Sequence, residues 1–204
     1  MTHRIASLVG TLCLFTSSTA FALRGPANAE YAVNVAGSPF GAAVNFGRHT
    51  SEKTTWFAAI GGLPAGTPVS EMTLDIDGTE YTVNASSSYV GFFVNHRPFE
   101  EADWFRFNAG IAVGSIENAL DDGSGNTFEA NYNVNPVGYV GIGAGFRPKK
   151  GLIYGLDIGW LQSSGPDIAQ TAGDANPDAL DAIADHSFFG NVLPNIQVGI
   201  GWGF

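Results

Sequence analysis

The sequence predicts an all-β fold, an eight-stranded antiparallel transmembrane β-barrel with short periplasmic turns and longer extracellular loops. Three observations carry that expectation. From Asn195 to Phe204 every even position is large and apolar, Ile196, Val198, Ile200, Trp202 and Phe204, and the odd positions are Gly, Asn or Gln. A period of two gives a strand with one greasy face and one small or polar face. The same alternation recurs upstream. No stretch after residue 22 approaches the roughly 18 continuous apolar residues of a helical membrane span, so insertion into a bilayer requires a barrel.

The chain opens on Thr2-His3-Arg4 and an apolar run from Ile5 to Phe15, then reaches Ala20-Phe21-Ala22, a small-x-small cleavage signature. This reads as a secretory leader over residues 1–22, with the barrel domain over 23–204. A second such site, Ala27-Asn28-Ala29, would start the mature chain at Glu30 but leaves Arg24 awkwardly before the cut. Cys13, the single cysteine, falls within the leader, so the mature chain has no disulfide and no thiol nucleophile.

The expected strands are 30–37, 40–48, 54–62, 79–97, 104–116, 131–146, 151–162 and 191–204. In the second, Phe40, Ala42, Val44 and Phe46 oppose Gly41, Ala43, Asn45 and Gly47. In the fifth, Phe105, Phe107, Ala109, Ile111 and Val113 oppose Arg106, Asn108, Gly110, Ala112 and Gly114. The sixth and seventh put Val140, Ile142, Ala144 and Phe146, then Leu152, Tyr154, Leu156, Ile158 and Trp160, against glycine-rich faces. The bulky faces suit lipid, and the glycine-rich faces suit a narrow interior. In 79–97 the apolar phase changes between Val83 and Val90, which predicts a bulge near Ser86-Ser87-Ser88.

Met72 to Thr79 carries an Asp77-Gly78 turn and looks like half of a hairpin; it could replace the first strand in the count, but the preferred reading is an ordered projection of an external loop. The short, charged connections 48–53, 98–103 and 147–150 are expected on the periplasmic side, and the longer 63–78, 117–130 and 163–190 outside. Within the last, Asn176-Pro177-Asp178 followed by Ala179 to Asp185 predicts a short capped helix.

Net charge is −10, and loss of Arg4 with the leader makes it one unit more negative. Such a surface argues against nucleic acid as a partner. The 27 glycines and 12% aromatic residues belong to a tightly packed β-rich chain rather than a disordered one.

Pro136 to Phe146, Gly155 to Trp160 and the C-terminal strand resemble the small OmpA-like and OmpW-like outer-membrane barrels of Gram-negative bacteria, from about Glu30 to Phe204. They are also similar to proteobacterial barrels with a short Asp/Ala-rich helix before the last strand. The resemblance implies location in the cell outer membrane and outer-membrane lipids as surroundings. It also implies that Ile196, Val198, Ile200, Trp202 and Phe204 form the signal read by the barrel-assembly machinery. Nothing resembles a peptidoglycan-binding domain.

Arg106, Asn108, Asn133, Asn135, Asp157 and Gln197 fall on interior faces and are expected to form a lumen polar network. Eight strands leave room for side chains or one small ligand, so a general porin is not expected. Asp185-His186-Ser187 resembles the His and Ser of outer-membrane lipid A-modifying enzymes. Neighbours on an extended strand point to opposite faces, which does not suit a base that must reach its nucleophile, and no catalytic residue is expected.

Asp174, Asp178, Asp181 and Asp185 share one helical face, and Asp121 to Asn126 has the flavour of a calcium loop. Both lack a closed set of oxygen ligands, so no metal or cofactor is expected. Tyr154, Trp160, Trp202 and Phe204 are assigned to aromatic girdles at the two interfaces.

The sequence therefore predicts a non-enzymatic outer-membrane barrel with a structural, surface-interaction or small hydrophobic-molecule passage role. A lipid A-modifying enzyme is one alternative. A soluble secreted or periplasmic ligand-binding barrel, with its apolar residues turned inward, is the other.

Overall fold

The computed structural model describes residues 28–133, 136–174 and 176–204; the expected leader and Asn135 lie outside them. Among the described residues eleven strands run β1 Tyr31–Ser38, β2 Gly41–His49, β3 Thr54–Leu63, β4 Glu71–Ile76, β5 Thr79–His96, β6 Phe105–Asp121, β7 Thr127–Tyr132, β8 Val137–Gly145, β9 Gly151–Gln162, β10 Asp167–Ala172 and β11 Val192–Gly203. A helix, α1 Pro177–Asp185, and a single 3-10 turn, Ser187–Phe189, precede β11. No helix among the described residues is long and apolar enough to cross a membrane, which leaves crossing by strands open.

Eight antiparallel strands close a ring in the order β1, β2, β3, β5, β6, β8, β9, β11. Closure is between the first and last strands, with Ala32 opposite Gly203 and Gly37 opposite Val198, and Phe204 exchanges backbone hydrogen bonds with Tyr31. The short connections after β2, β5 and β8 share one end of the ring with both of these strand termini. That end is called the lower end below.

The two faces of the ring sort by size. Val35, Val44, Ile60, Phe92, Ile111, Val140, Ile158 and Ile200 are exposed on the outside, while Asn34, Asn45, Asn95, Asn108, Asp157 and Asn195 are buried within. The arrangement required for a soluble barrel, with apolar residues inward, is thus the reverse of the one observed.

At the upper end the chain builds a second layer. β4, the upper halves of β5 and β6, β7 and β10 lie side by side as a five-stranded sheet. Ile76, Tyr81, Val83, Leu120 and Phe128 on one face of it pack against Ile183 of α1 and Phe189. Among the described residues this cap holds the larger buried hydrophobic cluster; the ring interior mixes buried Asn, Arg and Asp side chains with Phe57, Tyr139, Phe146, Ile153 and several alanines. Asp77 (φ 51°) and Gly78 (φ 81°) make the β4–β5 turn in the left-handed region, as the Asp-Gly pair predicts.

In α1, the Asn176 side chain accepts from Ala179 N at 3.1 Å, with Pro177 at the first helical position. Asn176→Ala is expected to cost about 1 kcal/mol of local stability, read as faster hydrogen exchange in the first turn of α1.

Four sequence expectations are corrected. The predicted bulge near Ser86 to Ser88 does not exist, because β5 pairs with β6 in unbroken register from Thr82–Asp121 to His96–Phe107. What changes there is the surroundings. Below Ser88–Ser115 the outward row is Val90 and Phe92, beside Val113 and Ile111; above it the row is Asn84, Thr82 and Glu80, beside Glu117, Ala119 and Asp121. The inward row changes oppositely, from Asn95 and Gly91 to Val83 and Tyr81, where it becomes cap core.

Second, the expected strand 131–146 is two strands. β7 and β8 both pair with β6, but three β6 residues separate the registers Ala112–Val137 and Ile116–Tyr132 while the partner chain spends four. That extra residue flips the inward phase, from odd positions such as Tyr139 to even ones such as Tyr132. Third, Phe146 was expected on the outer face and is buried. After Gly145 (φ 82°), Phe146 (φ 45°) turns back into the ring. Fourth, Phe40 leaves the outer face for the β1–β2 turn, where it lines the upper lumen.

Candidate functional site

The lower lumen is filled by a charged plug. Arg106 is wholly buried and pairs with Asp157 through Nη2 at 2.6 Å. Its Nε donates to Asn108 Oδ1 at 3.2 Å and its Nη1 to the carbonyls of Ala144 and Gly145. Asn108 Nδ2 donates to the same Asp157 oxygen, so one carboxylate organises both side chains. The guanidinium stacks over the Phe146 ring at 4.8 Å.

Phe146 fits because its neighbours lack side chains: a Cβ at Gly155 would lie 2.4 Å, and one at Gly199 2.7 Å, from its ring. Arg97, also buried, donates to the Phe146 carbonyl and to Thr55 Oγ1. Sequence reading placed neither Arg97 nor Phe146 here, since one ends a strand and the other carries the wrong parity. A glycine on each of two strands facing Phe146 was the available signal.

The structure therefore brings Arg106, Asn108 and Asp157 together. Gln197, the β11 partner of Asp157, lines the lumen beside them without joining their hydrogen bonds, and Asn133 is exposed at the upper rim because of the phase flip between β7 and β8. Above the plug is a cavity of about 120 Å³ among Asn34, Asn45, Phe57, Phe93, Tyr139 and Asn195. Ile196, Val198, Ile200, Trp202 and Phe204 all project outward from the closing strand, 48–58% exposed. Tyr154 and Trp202 lie near the lower end and Trp160 near the upper, where it pairs with Pro194. Tyr31 stacks on both Phe46 and Phe204, so aromatic residues are denser at the lower end.

Charge is segregated along the axis. Every Lys and Arg among the described residues, Arg48, Lys53, Arg97, Arg106, Arg147, Lys149 and Lys150, lies in the lower half or its turns. The solvent face of the cap sheet carries Glu71, Asp75, Glu80, Glu117, Asp121 and Glu129 with no cation among them. Asp75 and Glu80 are direct cross-strand partners, an opposition of like charge that destabilises a sheet.

His186 caps the 3-10 turn, its Nδ1 accepting from Phe188 N at 3.3 Å, and Ser187 is exposed. Asp121 and Asp122 spend their oxygens on the turn, Asp122 accepting from Ser124 N, Asn126 N and Asn126 Nδ2, which together hold its carboxyl below the usual range. Asp174, Asp178, Asp181 and Asp185 are exposed, and no group of three metal-binding side chains occurs among the described residues.

Tyr132, in the cap strand β7, donates to Gly190 O at 3.1 Å, and burial pushes its phenol up to about 12. The raised value means stabilisation that is whole below about pH 10, the unfolded value, and lost as pH rises through the folded one. Difference titration of the protein against Tyr132→Phe should place this phenol near the higher value; ionisation near the ordinary one would contradict its burial.

The sequence matches no protein-family model and no curated protein. Among solved structures, it is similar to CarO of Acinetobacter baumannii (TM-score 0.64, 12% identity, 86% of this chain and 98% of that one). It is similar also to CarO2 of Acinetobacter baumannii (TM-score 0.66, 14% identity, 87% and 100%). A major outer membrane protein from Thermus thermophilus aligns over 86% of this chain and 99% of its own at TM-score 0.48 and 10% identity. The likeness to the two Acinetobacter baumannii structures shows the fold: an all-β chain of antiparallel strands laid out as theirs are.

Proposed function

We propose that this protein is a non-enzymatic β-barrel of the outer membrane, sealed to bulk solutes at its lower end and carrying an acidic, surface-exposed cap that serves as its interaction platform. One observation carries the reading. Along β5 and β6 the outward rows change from Val, Phe and Ile to Glu, Thr and Asp at the Ser88–Ser115 pair, without any break in register. An uninterrupted strand whose outer face switches from apolar to charged has crossed from one solvent to another, and lipid to water is the pair that fits.

The resemblance of the closing strand to OmpA-like and OmpW-like barrels supports the same placement, with the assembly machinery as the reader of Ile196 to Phe204. The plug supports the sealed lumen, since buried Arg106, Arg97 and Phe146 occupy the passage.

Site-directed labelling of intact cells tests the orientation, since the only cysteine, Cys13, is expected to leave with the leader. Ala119→Cys, on the solvent face of the cap, should react with a membrane-impermeant maleimide. Glu101→Cys, in a lower turn, should react only after the outer membrane is permeabilised. Labelling at 101 in intact cells, with none at 119, would reverse the assignment.

A further inference from the structure

The cap sheet ends on two edges, β10 and β4, and they are built differently. The β10 edge is closed off. Its register slips between Gln170 and Ala172, and the Gln170 side chain donates to the carbonyls of Ala172 and Asp174 while accepting from Asn176 N, which ties that edge to the approach to α1. In β4 there is no lysine, no proline and no slip of register between Glu71 and Ile76, so the usual devices that blunt an edge are missing. Among the described residues β5 is its one strand partner. On the side away from β5 the lane beside β4 is empty, because β2, which flanks β3 in the ring, turns back into β1 at Ser38–Gly41, below the level of β4.

The turn fixes which peptide groups face that lane. A two-residue connection, Asp77-Gly78, makes Ile76 and Thr79 a hydrogen-bonded pair, and such pairs alternate along an antiparallel ladder. Leu74 and Met72 therefore also bond to β5, and the bond from Ala85 N to Ser70 O at 2.7 Å falls in the same phase. Glu71, Thr73 and Asp75 turn their N–H and C=O groups to the empty lane. Their side chains are exposed on the acidic face, while Met72 and Leu74 lie partly buried on the core side. Asp75 Oδ1 accepts from Gly78 N at 3.0 Å, and neither Glu71 nor Asp75 has a cation partner among the described residues. A second copy of the chain is a poor occupant: two β4 strands laid antiparallel about Thr73 set Glu71 against Asp75 twice, like charges directly opposite. We infer that the free edge of β4 takes up an extended segment of a partner protein as a further strand. That segment carries Lys or Arg opposite Glu71 and Asp75, and apolar residues beside Met72 and Leu74. That the partner comes from outside the cell rests on the placement proposed above; the edge itself does not.

The probe is a capped peptide, Thr-Lys-Val-Thr-Val-Lys-Thr, whose pattern reads the same in both directions. It is titrated into the mature protein in uncharged detergent micelles and followed by backbone amide NMR. Saturable shifts should alternate along β4, large at the Glu71, Thr73 and Asp75 amides and small at those of Met72 and Leu74. Thr73→Pro removes one outward N–H and leaves the ladder to β5 intact, so it should raise the midpoint concentration about tenfold. Methylating the amide nitrogens of the two lysines and the central threonine of the peptide should abolish saturation. If Thr73→Pro does not fold, Glu71→Lys with Asp75→Lys supplies the comparison: it should lose the lysine peptide and take up the same peptide with glutamates in their place. Shifts spread evenly over the acidic face to Glu117 and Glu129, undiminished binding of the methylated peptide, or no saturable shift at all would each overturn the proposal. Alternating shifts that grow with protein concentration alone would overturn it too, by giving the edge to a second copy. Heat-modifiable gel migration is read separately: its absence in a protein that still binds the peptide would count against the barrel reading and not against the edge.

Discussion

Asp157→Ala is expected to destabilise the folded ring by about 3–5 kcal/mol, because it leaves the wholly buried Arg106 guanidinium without its counter-charge. The same change removes the acceptor for Asn108 Nδ2, so two polar side chains lose their partner at once. The loss belongs to the orphaned charge rather than to the pair itself. Replacing both partners, Arg106→Leu with Asp157→Leu, should recover most of the stability, since an apolar pair of similar volume often equals a buried ion pair. Unfolding by urea in lipid vesicles measures both. A single Asp157→Ala cost below about 1 kcal/mol would mean that Arg106 is hydrated and that the plug is not dry.

The second large effect follows from the proposed placement, which sets lipid and water against one strand. Ala109 and Ala119 both face outward on β6, ten residues apart by number, one below the Ser88–Ser115 pair and one above it. Ala109→Arg should cost about 2–4 kcal/mol, the cost of a cation near the middle of a lipid-facing barrel wall. Ala119→Arg, in the acidic cap, should lie within about 0.5 kcal/mol of the parent protein. Equal costs at the two positions would remove the apolar belt from the account.

The ring was legible in the sequence wherever one face of a strand is large and the other small. The closing strand from Asn195 to Phe204 and the run from Leu152 to Trp160 obey that rule along their length, and their partners in space do too. The cap was legible only in part. Asn176-Pro177 and Asp77-Gly78 declared a helix start and a turn through local chemistry, whereas β7 and β10 are half-buried against α1 and have no large apolar outer face to sharpen the alternation.

The bulge assigned to Ser86 to Ser88 came from assuming one environment for both ends of β5. Val83 and Val90 are on opposite faces because one is core in the cap and the other faces outward in the belt. Asn133 was misplaced by carrying the parity of Tyr139 across a one-residue slip that Pro136 marks but does not quantify. Arg97 and Phe146 lie beyond strand ends, where periodicity carries no information and only the glycines opposite hint at a filled lumen.

Heat-modifiable migration tests most directly whether the protein is a closed barrel held in the outer membrane by its apolar belt. Protein recovered from a detergent-extracted outer-membrane fraction should run as a compact band unheated and shift to its unfolded position on boiling. Recovery in the soluble periplasmic fraction, with no shift on boiling, would contradict it.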